Sequence, residues 1–144
     1  SWKKVNLSGS LFVGQTRPKL YETGIISGLE DLSSSSFNFS FFAKELFNKS
    51  DSFGLRISQP LRLENGGVYF SIPVGRKPDK EIIFENYRSD LNPSGRQVDL
   101  EFIYRMSAKY GRFYSRFGVT KDEGHFKREA VDSFFETIWE IPIH

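Results

Sequence analysis

Residue types able to do acid–base or metal chemistry are few in this chain. Histidine occurs only at positions 125 and 144, and His125 closes the run Asp122-Glu123-Gly124-His125. A Ser, His, Asp relay can be assembled on paper from Ser94 or Ser115 with His125 and Asp122, but no G-x-S-x-G turn is present to lift a serine hydroxyl clear of a sheet. Asp122, Glu123 and His125 also offer three metal-ligand types, yet no second cluster supplies the remaining ligands. The simpler reading is that His125 ends a turn. No catalytic residue, metal site or cofactor follows from these residues.

Other chemistries are excluded by what the sequence lacks. With no cysteine there is no disulfide framework, thiolate metal site or cysteine nucleophile. Neither G-x-G-x-x-G nor a P-loop occurs. Twenty Lys and Arg stand against 18 Asp and Glu, a net charge of +2, and the two signs are interleaved. Arg112, Tyr114 and Arg116 could stack bases on an open sheet, but so balanced a charge argues against a nucleic-acid partner.

The elements that must position these side chains are strands. At 144 residues the chain is long enough for one domain with its own core, and 15 of its residues are Phe. Seven runs alternate apolar and polar residues. They are Val5 to Val13, Phe37 to Lys44, Phe53 to Leu63, Val68 to Val74, Arg96 to Lys109, Phe113 to Val119 and Phe135 to Ile143. Asn65-Gly66-Gly67 has the residues of a tight hairpin turn and is expected to join the third run to the fourth. Pro60, inside the third run, requires an edge or a bulge. Tyr21 to Ser36, with its four consecutive serines, reads as loop with room for a helical turn at Leu29 to Leu32, and Gly75 to Arg88 as a polar excursion with at most a brief strand at Ile82 to Phe84. No helical period and no fixed repeat is present. No stretch approaches the ~20 apolar residues of a spanning helix, and no signal peptide is evident. The start at Ser1-Trp2, almost at once inside a strand pattern, favours a piece excised from a longer chain.

The polar sides of the last three runs define a common surface. Neighbouring strands would place Asp99, Glu101, Arg105, Arg112, Arg116, Glu136 and Glu140 on one face, with opposite charges across the ladder. Such an all-β antiparallel pattern fits a β-barrel, or part of one, with a polar lumen; it fits equally a soluble antiparallel β-sandwich with a solvated face.

Three segments carry more than pattern. They are Gly54-Leu55-Arg56-Ile57-Ser58-Gln59-Pro60-Leu61-Arg62-Leu63-Glu64-Asn65-Gly66, then Leu91-Asn92-Pro93-Ser94-Gly95-Arg96-Gln97-Val98-Asp99-Leu100-Glu101, then Asp122-Glu123-Gly124-His125. In this order and spacing they resemble the C-terminal region of subtilisin-like (S8 family) serine proteases of Gram-negative bacteria classed with autotransporters. Gly28-Leu29 through Ser36-Phe37 resembles the approach to the first segment, and the likeness runs from about residue 5 to the end. The resemblance implies a non-enzymatic C-terminal β-barrel module that exports the passenger or anchors it in the outer membrane. The protease domain, with the catalytic Asp, His and Ser, would lie upstream. Implied partners are that domain and outer-membrane or cell-surface proteins, at the outer membrane or cell surface or in secreted form. The segment residues Gln59, Pro60, Pro93, Ser94, Gly95, Arg96, Gly124 and His125 carry no catalytic role by this likeness and read as turn, bulge and strand-entry chemistry.

The chain departs from the family pattern in two ways. It ends Ile141-Pro142-Ile143-His144 rather than on an aromatic residue. It also shows about seven strands, where a single-chain bacterial barrel has an even number from 8 upward. Strands missed by the pattern, sharing of one barrel by several chains, or a cleaved segment that folds otherwise would accommodate the count. The alternative is a soluble β-sandwich that follows the protease and serves interaction, folding assistance or assembly.

Overall fold

Alternation of period two with aromatic and β-branched residues suits pleated strands. The computed structural model describes residues 4–20 and 24–142 and is all-β with antiparallel pairing. Its strands are β1 (Val5–Thr16), β2 (Ile26–Leu29), β3 (Leu32–Lys44), β4 (Asp51–Asn65), β5 (Gly67–Arg76), β6 (Ile82–Asp90), β7 (Val98–Ala108), β8 (Gly111–Lys121) and β9 (Val131–Glu140), with a 3-10 turn at Glu123–His125. No α-helix occurs among the described residues. Tyr21, Ile143 and His144, which entered the sequence reading, lie outside them.

The strands form two open sheets, one in the order β1-β3-β4-β7-β8-β9 and one in the order β2-β5-β6, and they do not close into a barrel. The chain divides into two compact units. One holds residues 1–11, 36–60 and 94–144, the other 12–35 and 61–93.

In the first unit β7, β8 and β9 form an unbroken meander, from Val98 opposite Lys121 to Ala108 opposite Gly111 and from Arg112 opposite Glu140 to Lys121 opposite Val131. β4 adds to β7 from Asp51 opposite Met106 to Ser58 opposite Asp99. Because side chains alternate faces, this register puts Phe53, Leu55, Ile57, Leu100, Phe102, Tyr104, Met106, Phe113, Phe117, Phe135 and Trp139 on one side. The rings form two rows, with centroid separations of 6.5 Å from Phe53 to Phe102 and 6.1 Å from Phe102 to Phe117 in one, and 6.4 Å from Tyr104 to Phe113 and 5.8 Å from Phe113 to Trp139 in the other. This side stays accessible, with Phe135 71% and Trp139 48% exposed. Among the described residues only Ala43 and Val68 are buried apolar side chains.

Asp51 organises the turn before β4. Its carboxylate accepts the N–H groups of Leu46 at 2.7 Å, Phe47 at 2.9 Å and Asn48 at 3.1 Å, and the Tyr104 hydroxyl at 3.3 Å.

In the second unit β5 pairs with β2 on one side and β6 on the other. Glu30 staples the three strands. Its N–H donates to the Gly67 carbonyl at 2.9 Å, and its carboxylate accepts Arg88 Nε at 2.8 Å, Arg88 Nη2 at 2.9 Å and the Tyr69 hydroxyl at 2.7 Å. A two-pronged guanidinium contact of this kind is the strongest ion-pair geometry. The Arg88 contact first, then Tyr69, hold the Glu30 carboxyl at about 2 against an ordinary 4.5.

Several sequence expectations are corrected here. Asn65-Gly66-Gly67 does not close a hairpin: β4 and β5 belong to different sheets, and neither glycine is among those with positive φ. The absence of side chains there serves space instead, since a Cβ on Gly66 would lie 2.4 Å from Leu32 Cδ2 and one on Gly67 2.6 Å from Glu30 Oε2. The serines 33–36 lie within β3, and Ser35 Oγ donates to Glu64 at 2.6 Å. Ile26–Leu29 is a strand, and no helical turn forms at Leu29 to Leu32. Residues 82–90 are a full strand, because pairing with β5 satisfies a backbone whose side chains alternate too weakly to announce it. Pro60 sits in β4 beyond Ser58, where pairing with β7 has ended and no N–H is needed on that side.

The lowered Glu30 value has a pH consequence. A carboxyl whose folded value lies below its unfolded one contributes stability above the unfolded value and loses it as pH falls through the folded one. Acidifying the protein from pH 4.5 to about 2 should lower its thermal midpoint, and Glu30→Gln should show a shallower fall over that window. Parallel melting curves for the two proteins would remove this ion pair from the account.

Candidate functional site

The three segments singled out in the sequence, far apart along the chain, meet in the first unit. Gln59 of β4 is only 2% exposed, and its Oε1 accepts Arg96 Nη1 at 2.5 Å. Gly95 donates its N–H to the His125 carbonyl at 2.7 Å, and Gln97 donates its N–H to His125 Nδ1 at 3.0 Å. Gln97 Oε1 in turn accepts the Gly124 N–H at 2.8 Å, and Ser94 Oγ accepts the Lys127 N–H at 3.2 Å. Gly95 has no room for a side chain, since a Cβ there would lie 2.5 Å from the Lys127 nitrogen and 2.7 Å from the Phe126 carbonyl carbon.

The 3-10 turn reaches this loop because Asp122, which caps it, and two of its residues take left-handed backbone: Asp122 at φ 53°, Gly124 at 67° and His125 at 63°. Asp and Gly tolerate that region, and the buried Asp122 side chain then turns inward as an acceptor. Its carboxylate takes the Arg128 N–H at 3.0 Å and the Arg96 N–H at 3.4 Å. The Arg128 amide, opposed by desolvation and aided by the Arg96 amide and by Lys121 and Lys127, keeps the carboxyl below its ordinary value. Ser94, His125 and Asp122 each accept a different backbone amide. Asp122, Glu123 and His125 do not form a metal-binding group, and no group of three His, Asp or Glu does so among the described residues. What the cluster does chemically is satisfy strand-end amides. Pro93 belongs to the second unit, where its carbonyl accepts Arg62 Nη2 at 2.9 Å while Arg62 Nη1 pairs with Glu64 at 2.5 Å.

The charged surface is a second candidate. The register places Asp99, Glu101, Arg105, Arg112, Arg116, Glu136 and Glu140 on the side opposite the aromatic series. Arg116 pairs with Glu101, and Arg112 Nε lies 3.1 Å from Glu140. Arg56 Nε donates to Asn38 at 3.2 Å, and Asp99 accepts Thr120 Oγ1 at 2.8 Å and Gln97 Nε2 at 3.0 Å. Rings stack among these charges: Arg105 lies 5.4 Å over Tyr114, and Arg116 lies 4.8 Å over Phe134, whose ring covers Gly118. Among the shallow clefts on this face are two, one of about 460 Å³ lined by Ser52, Arg105, Arg112 and Tyr114 and one of about 260 Å³ lined by Arg56, Asp99, Glu101 and Arg116.

The sequence reading gave no role to the Asp51 carboxylate or the Gln97 side chain, although both stand at a strand end, where amides leaving the ladder need partners. Comparison of the chain with protein-family models, curated proteins and solved structures gave no match.

Gly95 is the sharpest test of the cluster. Gly95→Ala should lower stability by about 1–3 kcal/mol, the scale of forcing a methyl group into a filled site. Ser94→Ala, which loses one hydrogen bond at an exposed hydroxyl, should cost less, about 0.5–1.5 kcal/mol. Urea unfolding of both variants against the parent checks the order; a neutral Gly95→Ala would show that the two loops do not close on each other.

Proposed function

We propose that this chain is a non-enzymatic β-module that contributes to the wall of an outer-membrane barrel in a Gram-negative cell. It would follow a subtilisin-like protease in one polypeptide and anchor or export that passenger. The observation that carries the reading is the separation of the two sides of the meander. Rings from Phe102, Phe113, Phe117, Phe135 and Trp139 line one side, and ion-paired charges with two clefts line the other. A barrel wall has this division, with apolar side chains toward lipid and polar ones toward the interior. The strands of the larger sheet run from 10 to 15 residues. A tilted spanning strand needs about 9–11. No helix among the described residues is long and apolar enough to cross a membrane, and a barrel crosses with strands.

A second reading, a soluble module whose rings meet protein, is favoured by one feature of β9. Phe134 and Ile138 stand between the acidic residues of its charged side, so this strand carries large apolar side chains on both faces, as suits a strand that meets protein on each.

Purification of residues 1–144 without detergent separates the two. The membrane reading expects aggregation that detergent or vesicles reverse, and a monodisperse protein that melts cooperatively in plain buffer overturns it. Phe102→Lys adds a second measure: facing lipid at the midplane it should cost about 2–4 kcal/mol. In a packed core the same change buries an unpaired charge and should abolish folding.

A further inference from the structure

We propose that the outer edge of β9 is a docking edge for an extended polypeptide segment with Arg or Lys at every fourth residue on one face and large apolar side chains on the other. The inference rests on the reading that other β-structure completes this sheet, and it names the chemistry of what completes it.

β9 ends the six-stranded order, so among the described residues no strand lies beside the backbone groups on its outer side. Natural edge strands are blunted by charged side chains, Lys above all, and by Pro, bulges or brevity. β9 carries charge of one sign only: its ten residues, Val131–Glu140, include three acidic residues but no Lys, Arg, Pro or Gly, and all ten pair with β8 in unbroken register. All ten are also exposed.

Charge identifies the occupant. Asp132, Glu136 and Glu140 repeat every fourth residue on one face with no basic residue among them. Glu140 has Arg112 and Asp132 has Arg128 at 3.7 Å, but Arg116, directly opposite Glu136, pairs with Glu101 instead. Glu136 has no ion pair among the described residues. β8 already shows what suits such a strand: Arg112 and Arg116 face Glu140 and Glu136, while Phe113 and Phe117 face Trp139 and Phe135. A strand on the outer edge would meet the same two rows of side chains. A second copy does not supply it. β9 against β9 in antiparallel register about Glu136 would oppose acidic residues, and the other outer strand, Val5–Thr16, has no basic residue.

The test uses the whole chain, kept monodisperse in buffer or detergent, with a labelled peptide copying residues 111–121. A second peptide carries Arg112→Glu and Arg116→Glu. Anisotropy should show the first binding and the second binding about tenfold more weakly, the scale of two cross-strand pairs turned from attraction to repulsion. Glu136→Lys with Glu140→Lys in the protein should reverse the preference, and hydrogen exchange should show new protection on β9. Equal affinity for the two peptides, no binding of either, protection elsewhere, or self-association of the chain through β9 overturns the proposal. The detergent requirement measured for the membrane reading is independent of these outcomes, so the two can fail separately.

Discussion

A backbone amide that leaves a sheet ladder must find another acceptor, and in this protein buried side chains supply it at two strand ends. Asp51 takes three amides before β4, while Asp122 and His125 take those of Arg128, Arg96 and Gln97 between β8 and β9 and at the entry to β7. This matters because so few apolar side chains are buried. Where a core would normally fix the turns, hydrogen bonds to carboxylate and imidazole do so here. The register of β4 on β7 and of β8 on β9 follows from them, and the register sorts the rings from the charges.

That sorting carries the functional reading. A sheet with one aromatic side and one ion-paired side suits unlike surroundings on its two faces, as the proposed barrel wall would provide. The polar side is no row of isolated charges: Arg105 and Arg116 each lie over a ring, so guanidinium groups cover apolar surface while keeping contact with water.

Much of this was legible in the residues because period two is unambiguous where polar and apolar residues contrast, as from Val98 to Met106 and from Arg112 to Val119. It failed where contrast was low. Four serines carry no hydropathic signal, and Glu85, Tyr87 and Ser89 alternate with Phe84, Asn86 and Arg88 without a clear apolar side. Asn65-Gly66 misled for another reason: the glycine is there for a close approach by Leu32 and not for a positive φ. The three family-like segments were visible as words. Their meeting through Gln59, Gly95 and His125 was not, since nothing local in a sequence says which turns share a space.

The order of the strands also governs how the chain is made. β7, β8 and β9 are consecutive, so their ladders close over short turns, whereas β4 must find β7 across everything between them, Ser58 with Asp99 and Asp51 with Met106. Loop closure makes the distant pairing the slower event. During synthesis β4 emerges beside its neighbour β3 but before β7, so its second ladder closes only once residues 98–108 have been made.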